Sequence, residues 1–327
     1  MQGFSSKLAF LTYKLLMRVN LQQAIAQLKN GEVVAIPTET VYGLAADATN
    51  DTALRQIYAI KQRPMDNPLI VHISDASQVT AWAAEFSPIA QKLAAAFWPG
   101  PFTLVLKAKD SVSNIVRAGQ PTVALRVPAH PLALQLLKES GLALAAPSAN
   151  KFTQLSPTTA MHVTAGLGEN IAVLDGGACE IGIESTIVSV TNNAQTEEWQ
   201  MLRQGMITEA DIERVAGKAA TTFSQPIKAP GQHALHYSPR TQLRLFASRA
   251  ALIAHANSNC AALLIGEGAQ PNCPVFNLDK NAADVARKLY DTLHKMDALN
   301  ADMLLIEAPP TAPEWLAILD RLTRAAN

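Results

Sequence analysis

Apolar positions recur along the chain in two rhythms, a helical spacing and short continuous runs. Asn20 to Lys29 puts Leu21, Ala24, Ile25 and Leu28 on one face, the spacing of a capped amphipathic helix, and Gly31 ends it. Glu32 to Pro37 (EVVAIP) reads as a short buried strand. Asp51 caps a helix to about Ile60, and Pro68 to Ile73 (PLIVHI) is the next strand. Further strands are expected at Phe102 to Lys107, Thr122 to Val127 and Ile183 to Val190. Helices are expected at Ile89 to Phe97, Pro131 to Lys138 and Ala210 to Ala216. This alternation predicts an α/β or mixed-sheet fold.

The periodicity stops after Gly217. Thr221 to Pro239 (TTFSQPIKAPGQHALHYSP) is rich in Pro, Ser and Thr and reads as a linker. Beyond it, strands are expected at Leu243 to Phe246, Ala261 to Ile265, Val275 to Leu278 and Met303 to Ile306. Helices are expected between them at Ala247 to Ala256 and Asn281 to Ala298. The expected organisation is a large unit over 18–218, a linker or lid over 219–240 and a small α/β unit over 241–327. Residues 1–17 carry Lys7 and Lys14 in an apolar stretch broken by Thr12 and Tyr13. They read as a leader outside the fold, upstream of a second plausible start at Met17.

Composition narrows the function classes. Hydrophobic residues make up 49 % and charged residues 17 %, ample for a sizeable core. Lys and Arg total 27 against 27 Asp and Glu, so the chain lacks the basic excess on which sequence-independent nucleic-acid binding rests. Cys179, Cys260 and Cys273 form no C-x-x-C pair, which suits a reduced cytoplasm better than a disulfide framework. No apolar run reaches the ~18 residues of a membrane span.

Four clusters place polar or cationic residues beside strands that otherwise read as buried. Pro37 to Leu44 (PTETVYGL) runs from a strand into two hydroxyls and a carboxylate. Lys61 to His72 (KQRPMDNPLIVH) sets two cations on a proline-stiffened loop, a pattern that suits polyphosphate. Ala145 to Asn150 (AAPSAN) opens an apolar strand into small residues that let a ligand approach the backbone. Gly176 to Val188 (GGACEIGIESTIV), with Arg203 downstream, brings Ser185 and Thr186 to the start of a strand. Arg126 lies within an apolar strand, where it must face a ligand, a carboxylate or solvent. A G-x-S-x-G elbow, a Walker loop and Cys/His metal patterns are all missing from the sequence.

Taken in order, PTETVYGL, KQRP with NPLIVH, PGPFTLVL, ALRVP, PSAN, GIESTIV and LRQG resemble the threonylcarbamoyl-AMP synthase family in its long form. The resemblance runs from about Met17 over nearly the whole chain and is loosest at the C-terminus. It implies a YrdC-like twisted mixed sheet with flanking helices, followed by a small Rossmann-like α/β domain. It implies synthesis of threonylcarbamoyl-AMP and pyrophosphate from L-threonine, bicarbonate and ATP, with Mg²⁺ on the phosphates and no protein-held metal. The product would serve a tRNA threonylcarbamoyl-transferase complex in the cytoplasm, with at most weak contact to tRNA or double-stranded RNA.

By the same resemblance Lys61 and Arg63 are catalytic and, with Ser148 and Asn150, form the K-x-R and S-x-N signature around ATP. Asn67, Thr122, Ala146, Ser156, Arg203 and Tyr237 also contact the nucleotide, and Thr40, His72, Arg126 and Thr186 hold threonine. The linker would fold over the cleft as a lid. Two rival readings are an RNA-binding module and a carbamoyltransferase-type maturation protein. The neutral charge argues against the first, and the want of zinc-finger and acylphosphatase-like segments against the second.

Overall fold

The structure is a computed structural model that describes residues 18–193, 196–219, 227–231, 233 and 236–327. The expected leader and much of the expected linker lie outside them. The larger part contains β1 (Arg18–Val19), α1 (Leu21–Lys29), β2 (Val34–Ile36), β3 (Gly43–Asp47), α2 (Asp51–Lys61) and β4 (Ile70–His72). It continues through α3 (Val79–Trp82), α4 (Pro88–Phe97), β5 (Phe102–Lys107), α5 (Asn114–Arg117), β6 (Thr122–Arg126), α6 (Pro131–Ser140) and β7 (Leu144–Ala145). Then follow α7 (Ala160–Leu167), β8 (Ala172–Leu174), β9 (Thr186–Asn193), β10 (Thr196–Arg203) and α8 (Glu209–Ala216).

These strands form one ten-stranded sheet in the order β1-β8-β2-β3-β7-β4-β6-β5-β9-β10. β4 runs parallel to β6, and β5 antiparallel to it. The helix boundaries follow from local chemistry. Asn20 and Gln23 close a capping box on α1. Asn50, rather than the expected Asp51, caps α2 by accepting from the Thr52 and Ala53 amides, and Asp51 is the first helical residue. Gln62 adopts a left-handed φ of 53° and ends α2, which turns the chain toward Arg63.

A second sheet holds β11 (Leu243–Phe246), β12 (Cys260–Ile265), β13 (Val275–Leu278) and β14 (Met303–Glu307), all parallel in the order β11-β14-β12-β13. α9 (Arg249–His255), α10 (Ala282–Asp297) and α11 (Leu316–Ala325) accompany it. Val285, Leu289, Tyr290, Leu293 and Met296 are buried along α10, the three-and-four spacing of a helix with one apolar face. Part of this face packs on the larger domain. Val41, Leu155, Ile183 and Tyr237 share one core cluster with Leu289, Ile318 and Leu322.

That contact needs a glycine. Gly182 has φ +83°, and a Cβ there would lie 2.5 Å from the Ala286 and Arg287 carbonyl oxygens. The loop leading to β9 is therefore pressed against the backbone of α10.

Candidate functional site

The ends of β2, β4, β6 and β7, the approach to β9 and the end of β10 converge on one cleft. Segments 230–231 and 236–237 of the linker complete its wall. Four of the eight buried side-chain polar atoms that lack a partner among the described residues belong to residues lining it. They are Arg63 Nε, His72 Nδ1, His236 Nδ1 and Tyr237 OH. Buried polar groups left unpaired in one place are those a ligand would satisfy.

Three guanidinium groups set the electrostatics. Arg63, Arg126 and Arg203 all line the cleft and are all buried. Arg63 donates to the Pro68 carbonyl at 3.0 Å and lies over the Phe152 ring. Burial lowers its pKa to about 10, still well above neutrality. Arg203 donates from Nε to the Ser185 carbonyl and from Nη2 to Ser185 Oγ, each at 3.0 Å, and from Nη1 to the Pro230 carbonyl at 3.2 Å. It therefore ties the linker to the sheet. With only backbone and hydroxyl acceptors as direct partners, Arg63 and Arg203 bring to the wall positive charge that favours an anion.

Arg126 sits beside His72 in register across β6 and β4. Its Nη2 meets Glu39 Oε1 at 2.6 Å, Nη1 donates to Thr40 Oγ1 at 3.0 Å, and Nε donates to the Gly100 carbonyl at 3.2 Å. The oddity of an arginine in an apolar strand thus has two answers together, a carboxylate partner and a cleft. Burial, and secondarily the Arg126 charge, pushes the His72 pKa down to about 3, so its ring is neutral at physiological pH. Glu184 is the carboxylate among the cleft-lining residues. It accepts from Ser156 Oγ at 2.5 Å, Tyr290 OH at 3.0 Å and Arg321 Nε at 2.8 Å.

Several expected residues stand behind the wall. Lys61 is buried and donates from Nζ to the Ser148 and Asn150 carbonyls at 2.5 and 2.6 Å, bracing the loop that presents Ser148. Asn150 Nδ2 donates to the Lys151 and Gln154 carbonyls. Asn67 Nδ2 lies 2.9 Å from His233 Nε2, and Thr186 Oγ1 donates to the Ile207 carbonyl at 2.7 Å. Ser156 reaches the cleft through Glu184, and Thr122 begins β6 beside Lys107. Thr40, Arg63, His72, Arg126, Ala146, Ser148, Arg203 and Tyr237 line the cleft itself. Glu39, Glu184, His236 and Arg321 went unrecognised in the sequence as site residues.

Residues 207–327 match the profile described as "Threonylcarbamoyl-AMP synthase, C-terminal domain". Residues 26–205, more than half the chain, match the Sua5/YciO/YrdC profile, described as "Telomere recombination". The chain belongs to the threonylcarbamoyl-AMP synthase family. A Bacillus subtilis threonylcarbamoyl-AMP synthase is 40 % identical over 94 % of this chain and 93 % of its own length. A crystal structure of Pyrococcus abyssi Sua5 complexed with L-threonine superposes with a TM-score of 0.84 at 34 % identity, covering 95 % of this chain and 96 % of that one. A Vibrio vulnificus threonylcarbamoyl-AMP synthase is 42 % identical, but its match covers 57 % of this chain and 98 % of its own length. The family fold carries the expected mixed sheet and second parallel sheet. Among the described residues no helix is long and apolar enough to cross a membrane, and no group of three His, Cys, Asp or Glu is placed to hold a metal.

Proposed function

We propose that the cleft makes L-threonylcarbamoyl-AMP from L-threonine, bicarbonate and ATP, releasing pyrophosphate. The observation that carries this reading is the grouping of three buried arginines with a neutral histidine and four unpaired polar atoms around one cavity, in a chain of this family. The amine of threonine first condenses with bicarbonate, losing water, to give a carbamate. A carbamate oxygen then attacks the α-phosphorus and the bond to pyrophosphate breaks. No side-chain nucleophile is required, and positioning with charge neutralisation supplies the catalysis.

Arg126 and Thr40 are suited to the threonine carboxylate, and His72 offers a hydrogen-bonding edge without added charge. Arg63 and Arg203 face the phosphates, while Lys61 holds the Ser148–Asn150 backbone against the nucleotide. Thr186, Asn67, Thr122, Asn150 and Ser156 support these groups from behind. Ala146 and Tyr237 close the wall and keep water from the carbamate. Mg²⁺ enters as part of the substrate, on the phosphate oxygens. Glu184 suits that assignment, because Ser156, Tyr290 and Arg321 already engage its carboxylate. Transfer to a tRNA-modifying complex in the cytoplasm would consume the product.

The test is incubation with ¹⁴C-bicarbonate, L-threonine and MgATP, followed by chromatography of AMP-containing products. The label must travel with the adenylate and with threonine. An adenylate of threonine without the labelled carbon would contradict the reading.

A further inference from the structure

The second domain contacts the cleft wall at several points, and one of them is a buried guanidinium group. Arg321 on α11 has 0 % side-chain exposure and donates from Nε to Glu184 Oε2 at 2.8 Å, from Nη1 to Asp320 Oδ2 at 2.6 Å and from Nη2 to the Gln204 carbonyl at 2.9 Å. Its Cζ lies 5.0 Å from the centroid of the Tyr237 ring. One side chain thus touches three segments that build the cleft: the approach to β9, the turn after β10 and the linker. Tyr290 on α10 adds a second contact to Glu184.

Glu184 poses a physical problem that this contact answers. A carboxylate lining a cavity for a polyphosphate repels its ligand, and the low dielectric of a buried site strengthens the repulsion. The hydroxyls of Ser156 and Tyr290 satisfy its lone pairs but leave its charge. Arg321 supplies the opposing charge, part of which it shares with Asp320, and Gly182 presses the same loop onto α10, which carries Tyr290. The Vibrio vulnificus relative matches only 57 % of this chain while using 98 % of its own length. A family member can therefore lack a counterpart to much of this chain, and the second domain here needs a role of its own.

We infer that Arg321 is a positioning residue for the nucleotide: as the counter-ion of Glu184 it lets a carboxylate face an anionic ligand, so the second domain sets ATP affinity. This deepens the proposed function and rests on it. Because a structural ion pair and a counter-ion predict different pairings of effects, the substitutions must be combined.

The experiment uses the full chain, with MgATP affinity read by calorimetry and pyrophosphate release read against ATP and threonine. R321M should weaken ATP binding and raise the KM for ATP at least tenfold, with the KM for threonine within threefold of wild type. Adding E184Q should return ATP affinity to within threefold of E184Q alone. Unchanged ATP affinity in R321M, equal losses for both substrates, or a loss that E184Q does not relieve would overturn the inference. If R321M does not fold, the E184Q/R321M protein decides. It must fold and bind ATP like E184Q, and its failure to fold makes the pair structural only. Wild type that binds ATP yet releases no pyrophosphate overturns the proposed function and leaves the affinity comparison to judge Arg321. Wild type that does not bind ATP overturns both.

Discussion

Arg126 and Glu39 form an ion pair of 2.6 Å in which each side chain is 4 % exposed. A pair this buried is weak proof of stability, but breaking it from one side strands the other charge. The Arg126 charge, against the opposing effect of burial, keeps the Glu39 pKa below its ordinary value, so the carboxylate is ionised and needs its partner. Arg126→Ala should therefore lower unfolding free energy by about 3–5 kcal/mol and weaken threonine binding at least tenfold. Denaturant titration and threonine calorimetry measure the two losses separately. A destabilised variant with unaltered threonine affinity would leave Arg126 as scaffold alone.

Lys61 gives a second prediction, because its ammonium meets two backbone carbonyls and no carboxylate. Burial, then the nearby Arg63 charge, pulls its pKa well below the ordinary lysine value. Lys61→Met removes the buried amine but leaves two acceptors unpaired, so a stability loss of about 1–3 kcal/mol is expected. The Ser148–Asn150 loop should loosen and ATP affinity should fall at least tenfold, measured by calorimetry beside a thermal melt. Full ATP affinity with lost turnover would instead put Lys61 on the reacting atoms.

Acid should destabilise the fold in a defined window. Burial lowers the pKa of His72 and of His236 to about 3, whereas an unfolded histidine titrates near ~6.5. Between those values the unfolded chain binds more protons, so stability is intact above ~6.5 and falls as the pH drops toward about 3. Two such groups give a slope of up to about 3 kcal/mol per pH unit. Glu184 adds a further loss lower down, since Arg321 outweighs nearby Arg203 in holding its pKa at about 2 against the cost of burial, and that contribution fades as the carboxylate protonates. Melting temperature should fall as the pH drops below ~6.5. A flat profile down to pH 5 would mean that these histidines are solvated.

The sequence reveals the site where local pattern and chemistry conflict. An arginine amid apolar strand residues, and an apolar strand breaking into Pro-Ser-Ala-Asn, both marked segments that meet at the cleft. Direction was another matter. Asn67, Asn150 and Thr186 lie within or beside motifs whose other members line the cavity, yet their own side chains point to backbone or protein partners. The role of Glu39 cannot be read locally because its partner is 87 residues away, and Glu184 depends on a helix 137 residues later. Strands of two or three residues, such as β7 and β8, are too short to show a period. The Pro-rich stretch before α11 and the loose family match at the C-terminus hide that helix, and with it Arg321.

The most direct test of the account is pyrophosphate release by the full chain, with ATP, Mg²⁺, L-threonine and bicarbonate each withheld in turn. Release is expected only when all four are present, with each omission reducing the rate to background. Undiminished release in bicarbonate-free buffer would contradict the carbamate step, and release without threonine would contradict the assignment of Arg126 and His72 to an amino acid.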